Sequence, residues 1–180
     1  LSQRASAAVP SRRAALLACD RGDEAAVRAL PGRAAEALGR VTCVVNNASL
    51  FEYDSATTFS PGLLAAHMST NLAAPLFLAQ ALHAATPQDS QAVVINLLDQ
   101  KLYNLNPDFL SYTLSKAALD AATKMLAQAL APLGRSSTPQ DIAEAVVYAA
   151  SARALTGTTL VVDGGQHLVP LARDVMFLTK

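Results

Sequence analysis

The stretch VTCVVNNAS (41–49) decides how the rest of this 180-residue chain is read. Its first half is apolar and β-branched, a pattern that fits a pleated, half-buried strand. It then runs out into two asparagines and a turn of small residues. Polar groups placed just past such a strand lie at the carboxyl edge of a sheet, where open α/β sheets bind their ligands. Working outward, RRAALLACD (12–20) and AVVINLLD (92–99) repeat the design, each apolar run ending in a carboxylate, Asp20 and Asp99. TTLVVDGG (158–165) adds a fourth run, with Asp163 before a glycine turn. Longer helical patterns separate these runs: 23–38, interrupted or kinked near Pro31 and Gly32; 61–85, with Pro75 expected to kink or split it; 109–131; and 138–151. Thr138 is a plausible N-cap for the last, with Pro139 at its first helical position. Strands alternating with helices predict an α/β domain with a parallel sheet covered by helices, one domain over residues 1–180.

Composition narrows the function. Hydrophobic residues make up 52% and charged residues 16%, which argues against disorder. Lys+Arg and Asp+Glu balance at 14 each, so no basic field exists to hold nucleic acid or an anionic membrane. Cys19 and Cys43 sit inside apolar runs, show no metal spacing and make no disulfide framework, which predicts buried thiols and a reducing, cytoplasmic home. His67 and His83 share no ligand spacing and read as surface or packing residues, so no metal is expected. His167, in the tail, could line an active site or a subunit contact. The apolar stretches are read as broken before membrane-spanning length, and LSQRASAAVPSRR (1–13) makes a poor signal peptide.

The chemistry centres on SYTLSKAAL (111–119), where Tyr112 and Lys116 stand four apart on a helix and therefore share a face. A phenol is a poor acid at neutral pH, with an ordinary pKa of about 10. A cation held beside it favours the phenolate and brings the group towards the working range of a proton donor. On an ordinary helix such a pair can equally be a solvated surface.

Four ordered segments resemble the short-chain dehydrogenase/reductases. They are NNAS (46–49), Asn71 in MSTNLAAP, Tyr112 with Lys116, and VVDGG (161–165) preceded by LTG. Asp20 further resembles the strand-end aspartate that contacts the cofactor's adenine. This resemblance implies a Rossmann-like doubly wound parallel sheet in three α/β/α layers. It also implies hydride transfer from a nicotinamide cofactor, expected to be NADPH. Asn47, Ala48 and Ser49 would lie along the adenosine half, and Asn71 would hold a proton-relay water. Tyr112 would donate the proton, while Lys116 would hold the nicotinamide ribose and lower the tyrosine's pKa. A homotetramer is expected from the two long helices, 61–85 and 109–131, which pair across subunits in the family.

Departures from the family pattern sharpen the substrate. Most members carry a serine thirteen residues before the tyrosine, and here that place holds Asp99. An aspartate there resembles the pteridine reductases. Ser49 replaces the usual glycine, and Phe51 two residues later resembles the phenylalanine that stacks on a pterin. A flat heteroaromatic bicycle suits an aromatic face. The expectation is NADPH-dependent reduction of a pterin or dihydrofolate-like compound. The alternatives are a carbonyl reductase, such as a 3-oxoacyl thioester reductase, or a non-catalytic member kept for binding or assembly. The family's first strand and glycine-rich phosphate turn are missing from this sequence. A late strand with its substrate loop is missing near 131–134, and absence through disorder is the preferred explanation.

Overall fold

The computed structural model describes residues 13–130 and 137–168. The junction at 131–134 lies outside the described residues. By contacts the chain divides into two compact units, Leu1–Ala122 and Thr123–Lys180.

In the first unit, helix α1 spans Glu24–Leu38. Asp23 caps it, its carboxylate accepting from the Ala25 and Ala26 amides at 2.9 and 3.2 Å, which satisfies two orphan donors of the first turn. Gly39 closes it with φ 94°, a left-handed geometry that favours glycine. The helix runs through Pro31 without interruption. Proline in a helix interior removes a hydrogen bond and costs ~3 kcal/mol. Here Pro31 and Val27, one turn earlier, are both buried, and that burial offsets the lost bond.

Strand β1 (Cys43–Asn46) pairs in parallel with β2 (Val93–Asn96), from Cys43 opposite Val93 to Asn46 opposite Asn96. The strands expected at 12–20 and 158–165 do not form among the described residues. An apolar run becomes a strand when a neighbouring edge takes its amides and carbonyls. Along 13–20 no neighbouring strand pairs among the described residues; Arg33 donates to the Ala18 carbonyl at 3.0 Å, and the Arg13 side chain donates to the Ala37 carbonyl of α1. Cys43 is exposed rather than buried, because it shares with Val45 the exposed face of β1.

Helix α2 (Pro61–Met68), capped by Ser60, passes through a π turn at Ser69–Ala73 into α3 (Ala74–Ala85). Pro75 cannot donate to the ladder, and the helix re-registers just before it: the Ala74 amide bonds the Ser69 carbonyl, five residues back. The residue in the middle of this turn, Asn71, is buried. Residues 61–85 contain no charged side chain, so the whole run is long and apolar enough to cross a membrane by length and composition. The expectation of shorter apolar stretches fails here. The run nevertheless packs on β1 and α1, as a sheet-covering helix does, with Arg28 of α1 4.4 Å above the Phe77 ring.

Helix α4 spans Leu110–Leu130 and the unit boundary falls within it. In the second unit, α5 (Pro139–Ser151) starts with a reciprocal capping box between Thr138 and Asp141. Its Ile142, Val146 and Ala149 meet Leu160 and Val162 across a shallow apolar groove. Asp163 forms a turn by accepting from the Gly165 amide and from His167, whose ring stands 2.8 Å away.

Candidate active site

The site is assembled at the carboxyl ends of β1 and β2, all within the first unit. The strands close on a bond between Asn46 and Asn96, 2.7 Å. The chain then leaves β1 through Asn47 and Ala48, both exposed, to Ser49, which is half-buried and donates to the Leu50 carbonyl. Asn71, turned inward by the π turn, grips Leu50 on both sides. Its amide oxygen accepts from the Leu50 amide at 2.7 Å, and its nitrogen donates to the Leu50 carbonyl at 3.0 Å. The same nitrogen donates to Ser115 Oγ at 2.9 Å, and that hydroxyl donates to the Tyr112 carbonyl at 2.7 Å. Asn71 therefore ties the loop after β1 to the helix that carries the tyrosine.

Asp99 follows β2 and begins a short 3-10 turn, Gln100–Leu102, by accepting from the Lys101 amide at 2.8 Å. Its other oxygen accepts the Tyr112 hydroxyl at 2.7 Å. The Lys101 amide, the Tyr112 hydroxyl and the charges of Lys101 and Lys116 together outweigh burial and hold the carboxyl below the usual carboxylate range. Tyr112, itself buried, moves the other way: burial first, then the bond to Asp99 and its negative charge, push the phenol well above its ordinary value. Lys116 is lowered by burial, partly offset by the attraction of Asp99.

This reverses the expected tuning. The four-residue spacing does place Lys116 near the tyrosine, with Nζ 5.7 Å from the ring centroid. A strand-end carbonyl, that of Leu97, captures the ammonium at 2.7 Å. The carboxylate, in direct contact with the phenol, dominates over the more distant cation. The result is a protonated phenol, an ionised carboxylate and a cation side by side: a proton donor with its acceptor partner and a charge able to offset a developing phenolate. An ammonium carries three donors, so the bond to Leu97 leaves capacity for the hydroxyls of a ribose. These residues fit a nicotinamide nucleotide at the sheet's carboxyl edge.

Phe51 lies beside the tyrosine, with ring centroids 4.6 Å apart at 82°. Its face stacks on Phe109 at 4.2 Å and 11°, and it remains 55% exposed. The structure thus brings together Ser49, Phe51, Asn71, Asp99, Tyr112 and Lys116. Asp20 is exposed and accepts from the Gly22 amide at 2.9 Å, with no bond to that group.

Sequence reading missed three side chains here. Phe109 adopts φ 58°, rare for a bulky residue, held by its amide on the Asp54 carbonyl and its own carbonyl on Thr113. Asp54 and His67 are buried. Spacing could have flagged one of them: His67 is four residues before Asn71 in the helical run 61–85 and so lies on the same side of it.

Comparison with known proteins bears on the fold and the family. The family model described as short chain dehydrogenase matches residues 2–134, and one described as Enoyl-(Acyl carrier protein) reductase matches 128–167. FolM alternative dihydrofolate reductase 1 from Brucella canis, solved with NADP, is 33% identical with a TM-score of 0.68, covering 93% of this chain and 78% of its own. The Brucella suis protein, also with NADP, is 32% identical with a TM-score of 0.67 over 93% and 79%. The inactive 2-(S)-hydroxypropyl-CoM dehydrogenase 2 of Xanthobacter autotrophicus is 24% identical over 82% of each chain. With a proton-donor pair at the edge of a parallel sheet and a family match across most of its length, the protein belongs to the short chain dehydrogenases, oxidoreductases of Rossmann-like α/β fold.

Proposed function

We propose that the protein reduces a pterin or dihydrofolate-like compound with NADPH. The observation that carries this reading is the 2.7 Å bond between Tyr112 and Asp99, a carboxylate where a ketone reductase would present a hydroxyl. The likeness to two dihydrofolate reductases solved with NADP supports both substrate class and cofactor.

When bound, a reduced nicotinamide would supply the hydride for the carbon of a ring C=N bond. Tyr112 delivers its hydroxyl proton to the nitrogen, completing the CH–NH product. Asp99 keeps the phenol protonated and aimed until then, and as an acceptor it suits the amino and N–H groups of an aminopyrimidine edge. Lys116 offsets the negative charge as the phenolate forms. Phe51 offers an exposed aromatic face to a flat bicycle. Asn47, Ala48 and Ser49 would line the adenosine side, with Asp20 at the adenine.

The test is NADPH oxidation by the purified full-length protein with dihydrobiopterin or dihydrofolate. Turnover of 3-oxoacyl thioesters without pterin turnover would refute the reading in favour of a carbonyl reductase. Failure to bind NADPH would favour a non-catalytic member. We further propose a cytoplasmic homotetramer, checked by light scattering of the same preparation.

A further inference from the structure

Residues 50–54 form an irregular segment between the sheet edge and the start of α4, and they are tied down at every second residue. Leu50 is held on both sides by Asn71. The Glu52 amide donates to His67 Nε2 at 3.3 Å, while Nδ1 of the same ring faces the Leu63 carbonyl at 2.9 Å. The imidazole is therefore neutral, its proton on Nδ1, with Nε2 left as the acceptor. Asp54 makes the third tie. One carboxylate oxygen accepts from the Ser111 amide at 2.9 Å and the other accepts the Ser111 hydroxyl. The Asp54 carbonyl accepts from the amides of Phe109 and Leu110. The two residues between the ties, Phe51 and Tyr53, are 55% and 60% exposed.

His67 and Asp54 are 0% and 1% exposed, so an imidazole and a carboxylate sit where apolar side chains would cost nothing in desolvation. What they secure is a fixed distance. Asp54 binds the residue just before Tyr112, and Phe51 lies three residues before Asp54. The substrate-facing ring and the proton donor are thereby set against one another at 4.6 Å. We propose that Asp54 and His67 are positioning residues for substrate recognition, holding the Phe51 ring in register with Tyr112. The proposal rests on the reading above that Phe51 is the face on which a flat substrate lies.

A double-mutant cycle tests it. Asp54→Ala raises the KM for dihydrobiopterin about tenfold with kcat changed less than about threefold and NADPH affinity unchanged. Phe51→Ala does the same, and adding Asp54→Ala to Phe51→Ala multiplies KM by less than about twofold, because the ring to be positioned is gone. His67→Leu follows Asp54→Ala, whereas His67→Gln, whose amide oxygen can still accept near Nε2, restores most of the affinity. Equal effects of Asp54→Ala in both backgrounds, or an equal loss of NADPH affinity, would overturn the proposal as a general structural role. If Asp54→Ala does not fold, Asp54→Asn, which keeps an acceptor for the Ser111 amide, replaces it in the cycle under the same criteria.

A second readout uses no substrate. In the NADPH-saturated protein, amide exchange of the peptide covering 50–54 accelerates at least about tenfold in the variant while α1 is unchanged. Unaltered exchange would refute the clamp. Should the wild-type protein reduce no pterin, the functional reading falls and exchange alone decides the clamp.

Discussion

Replacing Asp99 by Asn removes one charge and little else. The amide is isosteric and its oxygen can still accept the Tyr112 hydroxyl, so the 2.7 Å geometry is retained while the anion is lost. Ionising Tyr112 in the wild type places two negative oxygens at that separation. Their repulsion is ~1.5 kcal/mol at the dielectric of water and ~6 kcal/mol at an effective value of about 20. Asp99 is half-buried and a phenolate would relax away from it, so the lower figure governs. At ~1.4 kcal/mol per pKa unit, Asp99→Asn lowers the Tyr112 pKa by about 1 unit. The value stays above that of free tyrosine, because burial, the larger cause of the rise, is untouched.

The assay is a difference-absorbance titration of tyrosinate, with Tyr112→Phe in each background subtracting the other three tyrosines. A Tyr112 that titrates identically with and without the Asp99 charge would refute the reasoning: the carboxylate would then not set the acidity of the phenol. The same substitution lowers Lys116 further, since the attraction that partly offset its burial is gone. Any alkaline limb in the rate profile should therefore move to lower pH in Asp99→Asn.

Three other outcomes are expected. Tyr112→Phe abolishes pterin reduction while leaving NADPH affinity within about twofold; a variant retaining most of its rate would remove the tyrosine from the role of acid. Asp99→Ser loses pterin turnover, measured as NADPH oxidation with dihydrobiopterin, and retained turnover would make the carboxylate incidental. The third concerns acid stability. Burial would raise the Asp54 carboxyl, but the Ser111 hydroxyl and amide, with the Leu110 amide, hold it below its ordinary value. A depressed folded value contributes stability above the unfolded pKa of about 3.9, and that contribution is lost as pH falls through the folded value. Asp54→Asn is therefore less stable than wild type in urea at about pH 7, with the difference shrinking towards about pH 3. A constant difference across that range would contradict the assignment.

Helix positions were legible because their signals are local. Asp23, Ser60 and Thr138 cap the helices that their sequences announce, and Pro75 marks the place where 61–85 changes register. Strands were legible only where a partner edge exists: 43–46 and 93–96 supply each other's edge, whereas equally apolar runs at 13–20 and 158–165 find no strand partner among the described residues, Arg33 taking the Ala18 carbonyl of the first and Asp163 forming a turn at the end of the second. In the site, Tyr112, Asp99 and Phe51 were found by spacing and resemblance, and the structure does bring them together. The direction of the tyrosine shift was not readable, since sequence spacing gives a lysine's position on a helix but not which carbonyl its ammonium will meet. Asp54 was missed for a similar reason: its partner is 57 residues away.

One proline connects these observations. Because Pro75 forces the ladder to re-register, Asn71 turns inward at a π turn and finds Leu50 and Ser115. Ser115 passes the connection to the Tyr112 carbonyl, while Asp54, at the other end of the same loop, holds the residue preceding Tyr112. The first turn of α4 is thus bonded on two sides to the loop that bears Phe51. Breaking either bond leaves the tyrosine's own contact with Asp99 intact, so the chemistry of the donor and the placement of the ring are held by different groups. That separation is why substitutions at Asp99 should read out in the ionisation of Tyr112, and substitutions in the loop clamp should read out in substrate affinity.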